Sequence, residues 1–462
     1  MTESFRAVDP ATGELLREHP ADPPEQVLAE ARRAAAAQRR WARSTFPERA
    51  ACLRRLADGL DAHRDELARL VTREMGKPIG QAEAEAAKCA LAARHYATHA
   101  EAYLADVPVE LSPGEGSAAV VHRPLGVVLA VMPWNFPLWQ VVRAAAPALM
   151  AGNGVVLKHA PNVPGCAEAL ATRFGACGLP EGLFAHVRAD VETTGRLIDD
   201  DAVAAVTLTG SSRAGAAVAS RAGASLKPCV LELGGSDPFV VLPDADVDRA
   251  ADLFVASRMV NSGQSCIAAK RLIVTRGMAA RLERAVVERL RGLRRGPPSD
   301  RSTELGPLAR EDLRDELHRQ VERSVAAGAR LALGGTVPDE AGWWYPATVL
   351  ADVPAGSPAA DEELFGPVAA ILVADDVDGA LRRANASPYG LGATVVTGDA
   401  AAGERLARER LEVGCVFVNG MVRSDPRLPF GGVKASGFGR ELGRPGILEF
   451  VNVKTVVVAT ST

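Results

Sequence analysis

Short apolar runs alternate with helix-like stretches through the middle of this chain, and this alternation constrains the fold more than any other feature. Apolar strands separated by helices are typical of βαβ units, which place parallel strands in one sheet covered by helices. The pattern therefore predicts an α/β unit of the nucleotide-binding kind. Its strands are expected at residues 126–131, 155–158, 184–187, 204–209 and 229–233.

A second alternation follows the first and predicts a second α/β unit. A chain of 462 residues is too long for one compact core, so two or three domains are expected in any case. The strands of the second unit are expected near residues 239–242, 271–275, 368–373, 394–397 and 414–418, with helices between them.

The two ends of the chain have other patterns. Residues 23–41, 47–75 and 79–106 are rich in Ala, Arg, Leu and Glu, with Pro near each start, and predict three amphipathic helices. Residues 107–122 and the Val-rich segment 450–459 predict strands. Because an exposed apolar strand edge invites pairing, we expect these strands to contact a neighbouring subunit.

Composition argues against several classes of function. The net charge is −4, and Lys and Arg are spread over both halves, so no nucleic-acid or membrane surface is indicated. No apolar run reaches the roughly 18 residues of a membrane-spanning helix. The start of the chain shows no signal-peptide pattern, which gives the expectation of a cytoplasmic protein. The seven Cys include no CxxC pair and the eight His no HExxH pattern, so neither a disulfide framework nor a metal site is expected.

Two polar residues lie in settings that suggest chemistry. Cys266 belongs to the polar segment NSGQSCIAAKR (residues 261–271), just before an apolar strand, where a thiol can face a ligand. Glu232 lies inside the apolar strand VLELGG (residues 230–235). A lone buried carboxylate is costly, so it is either partnered or chemically employed. Each residue alone also fits a structural role, as core filler or as the acid of a salt bridge.

Together with PWNFP (residues 133–137) and EELFGP (residues 362–367), these two segments resemble, in the same order, the signature sequences of the aldehyde dehydrogenase superfamily. The resemblance extends through nearly the whole chain, and it implies a homodimer or a homotetramer. It also implies a Rossmann-type dinucleotide-binding domain (1–106 and 125–233), an α/β catalytic domain (234–435) and a small β oligomerisation extension (107–124 and 436–462).

The resemblance implies that Cys266 is the nucleophile. Its sulfur would add to an aldehyde carbonyl, and the side-chain amide of Asn135 and the N–H of Cys266 would hold the oxyanion. After hydride transfer to a nicotinamide, Glu232 would activate the water that hydrolyses the thioester. Because this acid is present, hydrolysis is favoured over the acyl transfer to coenzyme A that another branch of the family performs.

The resemblance implies NAD or NADP as the cofactor. In the family, the lysine matching Lys158 reaches the adenosine ribose. Pro161 replaces a Glu that is common in the family, so a 2′-phosphate is not repelled, and Lys158 and His159 can attract it. The choice between the two cofactors is therefore open, and use of both is expected.

Other cofactor contacts are expected at a strand-to-helix turn. Backbone N–H groups there, with the Ser211 hydroxyl, can hold a phosphate. The spacing of this turn resembles a Walker loop, but Ala216 stands where the essential Lys would be, which disfavours ATP. The cofactor contacts completing the set are Gly210 at the turn, Glu363 at the nicotinamide ribose, Phe365 near the ring, and Trp134, Ala160 and Leu233.

The resemblance is closest to bacterial succinate-semialdehyde dehydrogenases. Arg143, on the predicted helix 138–150, matches an arginine that clamps the distal carboxylate in that branch. Ser424 and Phe430 are expected in the same tunnel. Some members carry a second arginine six positions before the cysteine, where this chain has Val260.

Three alternatives stay open on the sequence. An aldehyde dehydrogenase with broad or different specificity would reveal itself in a panel of aldehydes. A cysteine hydrolase would need a His partner in the site, and none stands beside these motifs. A binding protein on the same scaffold would be expected to lack Cys266, Glu232 or Asn135.

Overall fold

The computed structural model describes residues 4–459. Its strands are β1 (Ser4–Val8), β2 (Leu15–Pro20), β3 (Val107–Val109), β4 (Ser117–Pro124), β5 (Val127–Met132), β6 (Gly154–His159), β7 (Phe184–Val187), β8 (Val203–Thr209), β9 (Cys229–Glu232), β10 (Asp237–Val241), β11 (Ala269–Thr275), β12 (Arg330–Leu333), β13 (Thr348–Ala351), β14 (Val368–Ala374), β15 (Tyr389–Gly390), β16 (Gly392–Val396), β17 (Cys415–Val418), β18 (Val433–Lys434), β19 (Gly437–Phe438) and β20 (Val451–Val458). Its helices are α1 (Pro24–Trp41), α2 (Phe46–Ala62), α3 (Arg64–Met75), α4 (Ile79–Tyr103), α5 (Trp139–Met150), α6 (Pro164–Ala176), α7 (Val191–Asp199), α8 (Ser212–Ala224), α9 (Val247–Arg258), α10 (Arg276–Arg291), α11 (Glu311–Ala326), α12 (Pro358–Asp361), α13 (Val377–Asn385), α14 (Ala400–Glu409) and α15 (Gly443–Leu448).

The first predicted alternation forms a six-stranded sheet. Its order is β19-β9-β8-β5-β6-β7; β5 to β9 run parallel, and β19 joins the edge antiparallel to β9. Val127 and Leu129 of β5 pack with α1 and α7, whereas Val128 and Ala130 pack with α4 and α5. Helices therefore cover both faces, which is why these strands read as continuous apolar runs.

The second alternation forms a seven-stranded sheet in the order β12-β13-β14-β11-β10-β16-β17. All neighbours are parallel except β12, which runs antiparallel to β13 at one edge. Helices α9 and α10 pack on one face, and α11 and α13 on the other. The α/β fold class predicted from the sequence is confirmed by both sheets. Strand β11, in the middle of the sheet, begins directly after the segment that carries Cys266.

The chain's last strand belongs to a third, smaller sheet. β20 pairs antiparallel with β4 from Val451↔Pro124 to Val458↔Ser117, and β4 pairs with β3. Several valines of this sheet are exposed, among them Val453 and Val457 of β20. β20 and β3 are the two edges, so each presents one unpaired side of its backbone.

The structure differs from the predicted elements at two places near the amino terminus. The segment predicted as one helix over 47–75 is two helices, because His63 leaves the helical conformation with φ −111° and ψ 20°. Arg64 then starts α3 with Asp65 and Glu66 in its first turn, where acidic side chains favour the positive end of a helix. The antiparallel pair β1 and β2 was not predicted.

A buried ion pair fixes the start of α5, the helix that follows the PWNFP segment. Glu85 of α4 accepts hydrogen bonds from the N–H groups of Leu138 at 2.8 Å and Trp139 at 3.0 Å. The same carboxylate pairs with the fully buried Lys77, whose ammonium lies 3.8 Å from the centre of the Phe136 ring. Glu85 thus satisfies backbone donors that a helix start leaves without partners.

Two kinds of feature are absent among residues 4–459. None of their helices has both the length and the apolar surface needed to cross a membrane. These residues bring no group of three or more His, Cys, Asp or Glu side chains together as ligands for a metal ion. All seven cysteines are free thiols.

Candidate active site

A tight turn presents Cys266. Asn261 and Ser262 both have φ of 54°, a left-handed conformation that is rare for residues with a side chain, and Gly263 has φ of 78°. A Cβ on Gly263 would lie 2.3 Å from the carbonyl oxygen of Gly366, so only glycine fits. Strain of this kind persists only where the surroundings hold it, and it is common at functional sites.

Side-chain amides hold this turn against the PWNFP segment. Asn261 Nδ2 donates to the carbonyl of Asn135 at 2.8 Å, and Asn135 Nδ2 donates to the carbonyl of Gln264 at 3.1 Å. Gln140 in turn donates to Asn135 Oδ1 at 3.2 Å, which fixes the orientation of this amide. The structure therefore brings Asn135, predicted from a distant segment, next to the cysteine loop.

Lys270 ties the cysteine loop to Glu363. Its buried ammonium donates to the carbonyl oxygens of Ser265 at 2.5 Å and Cys266 at 2.6 Å. It also lies 3.4 Å from Glu363 Oε1. Since Glu363 was predicted at the nicotinamide ribose, one lysine connects the expected cofactor site with the expected nucleophile.

The thiol of Cys266 is protonated at neutral pH in this structure. Burial raises its pKa to about 12, although Lys270 and Arg143 act in the opposite direction. A thiolate, rather than a thiol, is the attacking species. Reaction therefore requires either a base or a change in the surroundings of Cys266 when ligands bind.

Glu232 is buried at the end of β9. Neither carboxylate oxygen has a hydrogen-bond partner among residues 4–459, and a Cβ on Gly431 would lie 2.7 Å from Oε1. Burial, followed by the charge of Glu441, raises its pKa well above the ordinary value. An unpartnered carboxyl with a raised pKa is typical of a group used in proton transfer.

Cys266 and the predicted substrate residues line one cavity of about 140 Å³. Asn135 and Glu232 are not among its lining residues. Glu232 is nonetheless close to it, because a Cβ on Gly431, which follows the lining residue Phe430, would lie 2.7 Å from Glu232 Oε1. The residues that line the cavity include Lys88, Phe136, Trp139, Gln140, Arg143, Cys266, Arg423, Ser424 and Phe430.

Arg143 lines this cavity but is not a free cation. It is 3% exposed and forms a buried ion pair through Nε with Glu441. Nη2 donates to Thr209 Oγ1 at 3.1 Å, and the guanidinium carbon lies 5.1 Å from the centre of the Phe430 ring. Nη1 makes no hydrogen bond to any residue between 4 and 459, so this nitrogen is the one left for a ligand.

A second group of predicted residues meets on the other side of the cysteine loop. The Trp134 and Phe365 rings pack edge to face with centres 5.7 Å apart. Glu363 Oε1 accepts from the N–H of Gly235 at 3.0 Å, and a Cβ on Gly234 would lie 2.5 Å from its Oε2. Glycine at position 234 thus leaves the room that the Glu363 carboxylate occupies.

The predicted phosphate-binding turn lies beside Glu232. The N–H of Gly210 donates to the carbonyl oxygen of Glu232 at 3.0 Å. Ser211 caps α8 by accepting from the N–H of Ala214 at 3.3 Å. Leu233 is buried against the same helix start, since a Cβ on Gly215 would lie 2.5 Å from its side chain. The exposed start of α8 offers an anion its N–H groups and the positive end of the helix dipole.

The interpretation of His159 as a cation for a 2′-phosphate is wrong. His159 is buried beside Ala160, with Nε2 2.8 Å from the carbonyl of Pro137 and Nδ1 accepting from the N–H of Ala160. Burial lowers its pKa to about 3, so the ring is neutral. Lys158 and Pro161 are half-buried, and the Lys158 ammonium lies 5.9 Å from the centre of the Phe5 ring.

Comparison with known sequences decides the family. The sequence pattern of the aldehyde dehydrogenase family matches residues 1–456. The chain belongs to the aldehyde dehydrogenase family. The resemblance predicted from four short segments is therefore confirmed over almost the whole length of the chain.

The aldehyde dehydrogenases to which the chain is similar include well-covered bacterial proteins. It is 50% identical over 453 residues to the succinate semialdehyde dehydrogenase [NAD(P)+] Sad of Escherichia coli, covering 97% of both chains. It is 48% identical to a probable succinate-semialdehyde dehydrogenase [NADP(+)] of Synechocystis, covering 99% of this chain and all of that one. Among solved structures, the succinic semialdehyde dehydrogenase of Streptococcus pyogenes, in complex with NADP+, is similar with a TM-score of 0.96 at 33% identity, covering 99% of this chain and 100% of that one.

Three residues of this aldehyde dehydrogenase site were not predicted: Lys88, Lys270 and Glu441. Lys270 follows Cys266 within the same segment and could have been suspected from its place before a buried strand. Lys88 lies three positions after the buried Glu85 and four before the buried Ala92, at helical spacing on an inward face of α4. No pattern in the sequence marks Glu441.

A larger cavity of about 510 Å³ lies between α9 and α10. Two of its charged residues pair with each other, since Arg289 donates to the carboxylate of Asp252 at 2.5 Å. Cys266 is not among its lining residues. The smaller cavity is therefore the one that carries the chemistry expected of an aldehyde dehydrogenase.

Proposed function

We propose that this aldehyde dehydrogenase oxidises succinate semialdehyde to succinate with NAD or NADP as the hydride acceptor. The observation that carries the proposal is a single narrow cavity lined by both Cys266 and Arg143. A nucleophile at one point of the cavity and a cation at another match a short chain with an aldehyde at one end and a carboxylate at the other. The names of the Escherichia coli and Synechocystis relatives support the same substrate.

The proposed reaction assigns one step to each of three residues. Cys266 Sγ gives up its proton to solvent and bonds to the aldehyde carbon, while Asn135 Nδ2 and the Cys266 N–H donate to the resulting oxyanion. The Asn135 amide has a second N–H besides the one given to Gln264, so a donor is available. A bound nicotinamide supplies the acceptor for the hydride that leaves this carbon. Glu232 then takes a proton from water as the water oxygen adds to the thioester carbon. The bond to Cys266 Sγ breaks, and the carboxylic acid is released.

The residues present fit a dinucleotide. The start of α8, with Gly210 and Ser211, would hold a phosphate, Glu363 a ribose hydroxyl, and Trp134 with Phe365 would pack near the nicotinamide. Pro161 places no carboxylate near Lys158 to repel a 2′-phosphate, which supports use of both cofactors. In this proposal residues 1–106 and 125–233 bind the dinucleotide, 234–435 supply the nucleophile, and 107–124 with 436–462 join subunits.

A panel of aldehydes assayed with each cofactor tests the proposed substrate. We expect Arg143→Ala to raise KM for succinate semialdehyde about 10- to 100-fold more than KM for butanal, because a hydrogen bond to a charged group is lost only for the first substrate. Arg143→Lys keeps the charge beside Glu441 and controls for a collapse of the buried pair. Equal effects on both aldehydes, or a wild-type enzyme that prefers butanal, would contradict the proposed specificity.

We also propose that the β20 edge joins subunits. Val453 and Val457 are 60% and 56% exposed on a strand whose outer backbone side is unpaired. We expect the double substitution Val453→Glu and Val457→Glu to reduce the molar mass measured by light scattering. Leu226→Glu, at a site that is 94% exposed and outside this sheet, is the control. An unchanged mass in the double variant would contradict the proposed interface.

A further inference from the structure

Lys88 directs its ammonium into the cavity that contains Cys266. Its Nζ donates to Ser424 Oγ at 2.7 Å and lies 4.3 Å from the centre of the Trp139 ring. The neighbouring Glu85 and Cys89 are buried in the helix packing, and Lys88 itself is half-buried. A hydroxyl and an aromatic face thus hold the ammonium at the cavity wall.

The charges around the cavity do not balance. Arg143 has its own carboxylate, Glu441. No carboxylate of residues 4–459 lies within 4.0 Å of Lys88 Nζ: Glu85 is paired with Lys77, and Asp425 with Arg427 at 2.7 Å. Lys88 is therefore a cation without a carboxylate partner at the cavity wall, whereas Arg143 already has one in Glu441.

A cation in this position has an unfavourable free energy until an anion binds beside it. Burial and the nearby charge of Arg143 lower the pKa of Lys88 to about 8. Of the three cations that line the cavity, Arg423 is exposed to solvent, whereas Lys88 and Arg143 are not. Lys88 and Arg143 repel each other, and a carboxylate bound between them would relieve both the repulsion and the loss of hydration. The ligand that best fits this imbalance carries one negative charge.

We propose that Lys88 is a specificity-determining residue that binds the distal carboxylate of the aldehyde substrate, with Ser424 and the Nη1 of Arg143 completing the contact. This inference rests on the proposed function and deepens it. Ser424 is the hydrogen-bond partner that holds the ammonium in place. Lys88 supplies the net charge that Arg143, paired with Glu441, does not.

The test compares Lys88→Met, which keeps the length of the side chain over Trp139, with Lys88→Arg, which restores the charge. For succinate semialdehyde and butanal, we expect Lys88→Met to lower the ratio of the two kcat/KM values about 10- to 100-fold, and Lys88→Arg to recover most of it. The loss should lie mainly in KM. Lys227→Met, which removes a lysine bonded to the carbonyl of Asp200 outside the cavity, is the matched control.

A pH profile separates a charge contact from a packing role. The ratio of the two kcat/KM values cancels the ionisation of Cys266 and Glu232, which both substrates require. In the wild type this ratio should fall as pH rises through about 8, because Lys88 loses its proton there. In Lys88→Met the ratio should be flat. The charged and titratable groups near Lys88 are Arg143, Cys89, Glu85 and Asp425, and Arg423 and Cys266 line the same cavity.

Succinate inhibition makes the test independent of which aldehyde the enzyme prefers. With butanal as substrate, succinate should inhibit the wild type competitively, and its inhibition constant should rise at least about tenfold in Lys88→Met. An unchanged ratio and an unchanged inhibition constant would overturn the role of Lys88 while leaving the proposed function intact. A wild type without preference for succinate semialdehyde would overturn the proposed function, and the inhibition constants would still decide whether Lys88 binds carboxylates.

Discussion

Cys266→Ala is expected to abolish aldehyde oxidation, lowering kcat at least about 10⁴-fold, because the covalent route through the thioester is removed as a whole. Esterase activity on an activated ester should be lost to the same extent, since it would use the same sulfur. The fold should be retained, because the turn is held by Asn261, Gly263 and Lys270 rather than by the thiol. The measurements are both activities together with the thermal melting temperature.

The ionisation of this thiol gives the experiment a second readout. Without ligands, burial raises the pKa of Cys266 to about 12. Alkylation by iodoacetamide should therefore become about tenfold faster per pH unit between pH 7 and pH 10, following the thiolate fraction. Cys229→Ala, at the opposite end of β9 from Glu232, is the matched control and should remain active and labelled. Full activity of Cys266→Ala would refute the assignment of the nucleophile.

Much of the fold could be predicted from the sequence because burial on both faces of a strand leaves a mark, although β13, which is buried along its whole length, was not predicted. Parallel strands covered by helices must be apolar throughout, so β5 to β9 stood out as continuous runs. The order of strands within a sheet leaves no such mark, because it depends on how helices cross over. Two features near the amino terminus could not be predicted, for local reasons. Strands β1 and β2 are half exposed, and the helix break at His63 contains neither Gly nor Pro.

Only those site residues that belong to short segments of distinctive sequence could be predicted. Cys266, Asn135 and Glu363 belong to segments with their own glycines, prolines and aromatics, and the structure brings all three around one loop. Charge pairing between distant segments cannot be predicted in this way. Arg143 of α5 meets Glu441 from the segment between β19 and α15. The neutral state of His159 follows from its burial, which the strand pattern does not reveal.

Glu232→Gln is expected to separate the two halves of the reaction. A Gln side chain has the same shape but cannot take a proton from water, so thioester hydrolysis should fall about 10²- to 10⁴-fold. Addition of Cys266 and hydride transfer need no carboxylate and should persist. Rapid mixing should therefore show a burst of reduced cofactor close to one equivalent per active site, followed by slow turnover. Glu404→Gln, on the exposed face of α14, is the matched control.

The same substitution should change stability in a direction set by the raised pKa of Glu232. The ordinary pKa is 4.5, and the folded value lies well above it because of burial and Glu441. The contribution of such a carboxyl to the free energy of unfolding is fully present below pH 4.5. It is lost as pH rises toward the folded pKa. The uncharged Gln of the variant avoids that loss, so its melting temperature should exceed that of the wild type by more at pH 8 than at pH 5. A variant with neither burst nor turnover would place Glu232 before hydride transfer, as the base for Cys266, and would contradict its role in activating water.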